Sequence, residues 1–244
     1  MKNKDVFFYI VSGQDYIIEA NRSSVSVLEH MGESVDVAAF TPDDPFLLSP
    51  GGYQLEPYQT NRWYLAHSYY MLRAVTTLRK LGYERAIFMD TDTLLIAPVP
   101  ELFDMLSVFD FCGAHAPGRF TAEGHEDSVP ESFPELNIGV NPMRLSKNVE
   151  ILLATMFMLY EEKQEFYGNN DQGPMRDALY QTMLNANLFR VGILTPEYNL
   201  RFNFPCFARG EVKILHGRSA RMDMVIKTVN ASKGIRAWTD GLKF

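Results

Sequence analysis

Asp90 and Asp92 are two carboxylates one residue apart, set inside an otherwise apolar stretch that runs from Ala86 to Ile96. The residues before them, Ala86-Ile87-Phe88-Met89, read as a buried strand. Two acids at the mouth of a buried strand are costly to place without a partner. A divalent cation is the natural partner, because Mg²⁺ and Mn²⁺ take carboxylate oxygens and leave positions open for phosphate. In an extended chain alternate residues point the same way, so Asp90 and Asp92 are expected to face one ion together, with Thr91 between them. A solvated Asp-Thr-Asp turn is the plain alternative.

The elements that must position this pair are legible on its N-terminal side. Val6–Val11 reads as a first buried strand, Asp15–Met31 as a loosely amphipathic helix closed by Gly32, and Val35–Phe40 as a second strand. Strand, helix, strand at this spacing is a βαβ unit of a parallel sheet. Ligands sit beyond the carboxyl ends of such strands, which places Ser12, Gly13 and Tyr16 at a binding edge, although a plain strand-to-helix turn reads the same way. Residues 61–81 form a helix, with Leu65, Tyr69, Leu72 and Val75 at helical spacing and Gly82 as its stop. Arg62 and Arg73 lie near and within it. Either can reach a phosphate, but a solvated arginine is the simpler account, and His67 reads as structural.

Beyond residue 108 the texture changes. Phe109–Ala114 is another short strand, and His115–Phe133 reads as a surface loop or lid. His115, His125, Glu126 and Asp127 match no familiar metal spacing. Glu135–Pro142 reads as a strand whose central Gly139 lets another group approach the backbone closely. Ser146 caps a helix expected to reach Tyr167. Asn169-Asn170-Asp171-Gln172 is a polar knot before a helix to Leu184, with Asp171 as its expected N-cap. Leu188–Leu194 and Val212–His216 read as two last strands, and a lone histidine after a strand is usually structural. The basic C-terminal stretch, with Arg218, Arg221 and Lys227, reads as a solvated helix face.

Composition bounds the possible functions. The net charge of −7 and the lack of a long basic run before the C-terminal region argue against nucleic acid as the main partner. No stretch approaches the about 20 apolar residues that span a bilayer. Cys112 and Cys206 are isolated, which suits a reducing compartment. Together with the lack of a signal-peptide pattern, this leads to the expectation of a cytoplasmic protein. A homodimer is left open.

Two families share the central stretch. Asp90-Thr91-Asp92-Thr93-Leu94 also fits the first motif of haloacid dehalogenase-like phosphatases, where Asp90 would be the nucleophile. In those enzymes the motif usually sits on the first strand, and a later acidic pair completes a Mg²⁺ site. Here a βαβ unit precedes it and no such pair follows a strand.

The order of elements resembles the GT-A glycosyltransferases, especially glycosyltransferase family 8, the glycogenin- and galactinol-synthase-like group. Four patterns carry the resemblance: Phe7–Tyr16 as the nucleotide-binding opening, Arg85–Leu95 as the D-x-D strand, Leu136–Pro142 (L-N-I-G-V-N-P) as the family's F-N-x-G-V strand, and Asn169–Gly173 (N-N-D-Q-G) followed by Ile214–Gly217 (I-L-H-G). Their shared order over nearly the whole chain is what makes them specific. The resemblance implies an α/β fold with a mixed, mostly parallel sheet flanked by helices. It implies a single domain over 1–244, with 1–107 binding the nucleotide and 108–244 completing the metal site and the acceptor face.

The resemblance further implies that Asp90, Asp92 and His216 hold Mn²⁺ or Mg²⁺ against the diphosphate of a nucleotide sugar, with UDP as the nucleotide. Ser12, Gly13 and Tyr16 would border the nucleoside, with Arg73 and Thr91 also on the donor side. Asn137 and Gly139 would line the sugar pocket, and Asp171 and Gln172 would hold sugar hydroxyls or face the anomeric carbon. The acceptor would be a carbohydrate or other hydroxyl, and transfer would retain anomeric configuration; an inverting enzyme would instead use Asp171 as base. Where the family continues its histidine motif to a lysine in K-P-W, this chain reads H-G-R-S-A-R, so Arg218 or Arg221 would supply that charge. A non-catalytic protein that binds sugar nucleotides or glycans is the third alternative.

Overall fold

The computed structural model describes residues 3–48, 52–116, 129–185 and 188–238. In chain order, β1 (Asp5–Ile10), α1 (Gln14–Met31) and β2 (Asp36–Thr41) form the expected βαβ unit, and β3 (Gly52–Gln54) follows. α2 (Trp63–Lys80) leads into β4 (Arg85–Met89) and the short β5 (Thr93–Leu95). Then come α3 (Pro100–Met105), β6 (Phe111–Ala114), β7 (Val140–Arg144), α4 (Lys147–Glu162), α5 (Gln164–Tyr167) and α6 (Gln172–Asn185). The last elements are β8 (Val191–Leu194), β9 (Cys206–Ala208), β10 (Ile214–His216), α7 (Met222–Val229) and β11 (Arg236–Trp238).

A seven-stranded sheet in the order β3-β2-β1-β4-β7-β6-β8 forms the centre. β7 is antiparallel to both of its neighbours, and the other pairings are parallel. This is the mixed, mostly parallel α/β sheet expected from the sequence. The continuous apolar runs of β1 and β4 follow from burial on both faces. Along β1, Val6, Phe8 and Ile10 pack with residues of α2, α4 and α6, while Phe7 and Tyr9 pack with residues of α1 and α3. Burying one such phenylalanine contributes on the order of 1.5–3 kcal/mol. Outside the large sheet, Leu94, Leu200, Phe202, Leu215 and Met222 form a third apolar cluster that joins β5 and β10 to α7.

Several expectations change. The stretch 85–96 is two strands in two sheets, because the chain turns at Asp90–Asp92. The strand expected over 135–142 begins only at Val140, since Ile138 and Gly139 lie in a turn. The helix expected from Ser146 to Tyr167 breaks at Lys163, whose backbone (φ −122°, ψ 40°) is not helical. Ser146 caps it as expected, accepting a hydrogen bond from Val149 N. Most of the expected lid, 117–128 with His125, Glu126 and Asp127, lies outside the described residues. Both cysteines are free thiols. Among the described residues no helix is long and apolar enough to cross a membrane.

Candidate active site

Asp90 and Asp92 sit in a tight turn at the carboxyl end of β4. Thr93 N and Thr93 Oγ1 both donate to Asp90 O, at 3.1 and 2.6 Å, which closes the turn. Asp90 N donates to Gly139 O at 2.9 Å and Gly217 N donates to Asp92 O at 3.0 Å, so the turn is stitched to two distant segments. The alternation of an extended strand therefore does not bring the carboxylates together; the turn does. β5 then pairs antiparallel with β10 in a register that sets Thr93 opposite His216. That short ladder carries the histidine to the acids.

His216 is buried, with Nε2 3.4 Å from Asp90 Oδ2 and 3.4 Å from Asp92 Oδ1. Its other nitrogen, Nδ1, lies 2.7 Å from Asn199 Oδ1. Asn199 Nδ2 donates to Asn137 Oδ1 at 2.8 Å, which leaves Asn199 Oδ1 as an acceptor and places a proton on His216 Nδ1. His216 Nε2 then faces two carboxylates, which demands a positive charge at that nitrogen or between the three groups. Burial lowers the proton affinity of the imidazole, but hydrogen bonding and charge from Asp90 and Asp92 outweigh it and raise the pKa. Burial pushes the Asp92 carboxyl up, yet His216, Arg218 and Arg201 pull it down to about 2.

The three residues also suit a divalent ion. Each offers one ligand atom, all within 4.8 Å of one another. An ion with bonds of about 2.1 Å holds adjacent ligands about 3 Å apart, so small side-chain shifts suffice. Gly139 leaves the room: a Cβ there would overlap the His216 ring and lie 2.8 Å from Asp90 Oδ2. His216 Nδ1 is held by an amide oxygen, the type of support that orients a metal-binding imidazole.

A cavity of about 410 Å³ opens beside this cluster, within the size range of small-molecule sites. Of the residues singled out in the sequence, Ser12, Tyr16, Asp90, Thr91, Asp92, Asn137, Gly139, Asp171, Gln172, His216 and Arg218 line it. Residues from both 1–107 and 108–244 are needed to build it. Three do not line it. Gly13 starts α1 at φ 93° and its N–H donates to Asp43 Oδ2 at 2.7 Å. Arg73 is exposed, about 9 Å along α2 from His67 at 1.5 Å per residue. Arg221 is exposed at the residue before α7.

The charge expected of Arg218 or Arg221 is distributed differently. Arg218 reaches the cavity but is clamped by Glu19, with Nε and Nη2 donating at 2.6 and 2.8 Å, and lies 3.3 Å from Asp92 Oδ2. Glu19 also accepts from Thr91 Oγ1 at 2.9 Å, tying α1 to the Asp90–Asp92 turn. Arg201, which the sequence did not single out as a site residue, also lines the cavity. Its guanidinium stacks 4.7 Å over the Phe204 ring, and its Nε has no hydrogen-bond partner among the described residues. Burial lowers its pKa, while the charges of Asp90 and Asp92 oppose that shift.

At the far wall, Asn170 rather than Asp171 caps α6: Asn170 Oδ1 accepts from Gln172 N at 2.7 Å and Gly173 N at 3.4 Å. Asp171 is thereby left for the cavity, where its Oδ2 lies 3.3 Å from His67 Nδ1. Gln172 Oε1 accepts from Asn137 Nδ2 at 3.2 Å. A chain of side-chain contacts thus runs from His216 through Asn199 and Asn137 to Gln172. His67, read as structural from the sequence, lines the cavity together with Trp63 and Tyr64 of α2.

No protein-family model matches the chain, and no curated protein matches it in sequence. Solved structures do match. One is the crystal structure of the galactosyltransferase LgtC in complex with donor and acceptor sugar analogs, 14% identical, with a TM-score of 0.63 over 88% of this chain and 87% of that one. At that identity the likeness shows the fold, which is the GT-A fold.

Proposed function

We propose that this chain is a single-domain, metal-dependent glycosyltransferase that moves a sugar from a nucleoside diphosphate donor, a UDP-sugar, to an acceptor hydroxyl. The observation that carries the reading is the meeting of Asp90, Asp92 and His216 at one wall of a polar cavity, at the carboxyl ends of β1 and β4 in a GT-A fold. Those three residues would hold Mn²⁺ or Mg²⁺; a histidine with two carboxylates suits Mn²⁺ somewhat better. When bound, such an ion supplies positive charge to the diphosphate oxygens.

The chain's own residues divide the remaining work. Ser12 and Tyr16 border the nucleoside. Arg201 lines the cavity and would offset the charge that develops on the leaving diphosphate. Arg218, fixed by Glu19, holds Asp92 and the edge of the site. Asn137 and Gly139 line the sugar pocket, with Asp171 and Gln172 across from them. In the reaction the bond from the anomeric carbon to the diphosphate oxygen breaks, a bond to the acceptor oxygen forms, and the acceptor proton is released. We take the transfer to retain configuration, which leaves Asp171 free to bind hydroxyls rather than to act as base.

The phosphatase alternative is not favoured. The group beside Asp90 and Asp92 is the histidine of β10, where a phosphatase would need a further acidic pair.

Calorimetry with Mn²⁺ and a panel of nucleoside diphosphates tests the reading. UDP should bind in the presence of metal and fail to bind with chelator or in Asp92→Ala. Absence of binding for every nucleoside diphosphate would sink it. Binding with neither hydrolysis nor transfer across a broad donor and acceptor screen would leave only a sugar-nucleotide-binding protein.

A further inference from the structure

Tyr64 is the second residue of α2, and His67 follows three residues later on the same side of the helix. Both line the central cavity. Tyr64 is half-buried, and its hydroxyl makes no hydrogen bond with any described residue. Phenols buried in the core are spent otherwise. Tyr9 is bonded to Ser23 Oγ at 2.9 Å, Tyr160 donates to Gly168 O at 2.8 Å, and Tyr167 donates to Asp177 Oδ2 at 2.8 Å. A tyrosine hydroxyl drawn out of water normally finds a partner, so the Tyr64 O–H is left for what enters the cavity.

The surroundings of Tyr64 point to one part of that ligand. Burial raises its pKa, and the negative charges of Asp171 and Asp90 raise it further, with Arg218 opposing them. Tyr64 in turn acts on the charge of Arg201. The phenol is therefore within electrostatic reach of the metal-binding wall, through Asp90, and of the wall that carries Asp171. It also keeps its proton at neutral pH, so it donates and does not serve as a base. In the transferase reading the diphosphate lies against Asp90, Asp92 and His216, and the sugar lies towards Asp171 and Gln172. The oxygen that joins them lies between, and it gains negative charge when its bond to the anomeric carbon breaks. A donor aimed at that atom is worth more in the transition state than in the bound substrate.

Resting on the glycosyltransferase reading, we infer that Tyr64 is a further catalytic residue, its hydroxyl donating a hydrogen bond to the diphosphate oxygen that leaves the sugar. The electron pair of the breaking bond stays on that oxygen, and Tyr64 keeps its proton throughout.

Tyr64→Phe removes only the hydroxyl. Because that hydroxyl holds no protein partner, the Tm and the Mn²⁺ affinity of the variant should match wild type, which shows that fold and metal site are intact. UDP titrated by calorimetry into the full chain with Mn²⁺ should bind about 10-fold or more weakly to the variant, since its terminal phosphate carries the oxygen in question and a hydrogen bond to a charged group is lost. With Mg²⁺ in place of the paramagnetic Mn²⁺, phosphorus NMR of bound UDP reads the contact directly. The terminal phosphorus resonance should differ between wild type and variant, and the inner one should not. For any UDP-sugar that is turned over, the variant should lose kcat with KM nearly unchanged. If UDP binds both proteins equally, or the terminal resonance is the same in both, the inference fails and the transferase reading stands. A loss of Mn²⁺ affinity in the variant would assign the hydroxyl to the metal site and likewise overturn it. If no nucleoside diphosphate binds the wild type, both fail.

Discussion

His216 Nδ1 lies 2.7 Å from Asn199 Oδ1, and this contact sets which nitrogen of the ring faces Asp90 and Asp92. Asn199 is buried and held in turn by Asn137, so its amide cannot flip without breaking a second hydrogen bond. Asn199→Ala frees the imidazole to change tautomer and rotate. Loss of such a supporting group costs about 10–100-fold in metal affinity, and that is the expected drop in Mn²⁺ affinity by calorimetry. Thermal unfolding with and without chelator gives an independent readout. Saturation at about 100 times Kd stabilises the wild type by roughly 2.7 kcal/mol, and the variant should show less at the same Mn²⁺ concentration.

Gly139→Ala tests the same cradle from the backbone side. The added methyl overlaps the His216 ring, and the backbone has little freedom to retreat: Gly139 O accepts from Asp90 N, and Gly139 N donates to Asn137 Oδ1 at 3.0 Å. Overpacking of this kind costs about 1–3 kcal/mol. The variant should lose metal binding altogether, with a lowered Tm, whereas alanine at the exposed Gly32 should affect only stability, through its positive φ of 60°. Retained Mn²⁺ affinity in Gly139→Ala would contradict the geometry.

How much of this was legible in the sequence follows from the range of each interaction. β1, α1, β2 and α2 were readable because double-sided burial and helical spacing are written locally, in runs such as Val6–Val11. The turn at Asp90–Asp92 was not, because Leu94 and Leu95 continue the apolar pattern while changing sheets; only pairing with β10 over a hundred residues later reveals the switch. β9 and β11 are three residues each, too short to show a period. His67 was read as structural and Arg201 was not singled out, because a helix-borne histidine and a loop arginine carry no local mark of facing a cavity. Arg201 had one usable signal, its place in an aromatic-rich loop beside Phe202 and Phe204. Asp171 was identified with the wrong local duty: with two asparagines before it, Asn170 could take the cap.

Arg201, Arg218 and Arg221, on either side of His216, should separate in mutagenesis. Arg201 is half-buried and lines the cavity, whereas Arg221 is exposed outside it. Arg201→Met should weaken UDP binding about 10-fold or more, since a charge-assisted contact in a desolvated site is lost. Arg221→Ala and Arg73→Ala should stay within about twofold of wild type, as expected for solvated side chains. Arg218→Ala should fall between them. It also releases Glu19, which holds Thr91, so its effect should include weaker Mn²⁺ binding.

Stability should depend on acid pH through the tie between α2 and α4. Glu150 is buried on α4 and accepts from Arg79 Nε and Nη2 of α2 at 2.9 and 3.2 Å, with Lys147 Nζ at 3.4 Å. Burial raises its pKa, but the hydrogen bonds and charges of Arg79 and Lys147 outweigh that and hold the carboxyl below its ordinary 4.5. A depressed folded-state pKa means the folded form binds the proton less readily than the unfolded chain does. The contribution is therefore complete above about pH 4.5 and is lost as pH falls through the folded-state value. Glu150→Gln removes the charge at every pH. Urea unfolding at pH 7 should show the variant about 1–3 kcal/mol less stable, and the gap to wild type should close as the pH is lowered below 4. A gap that stays constant from pH 7 down to pH 3 would show that the carboxylate's charge contributes nothing to joining the two helices.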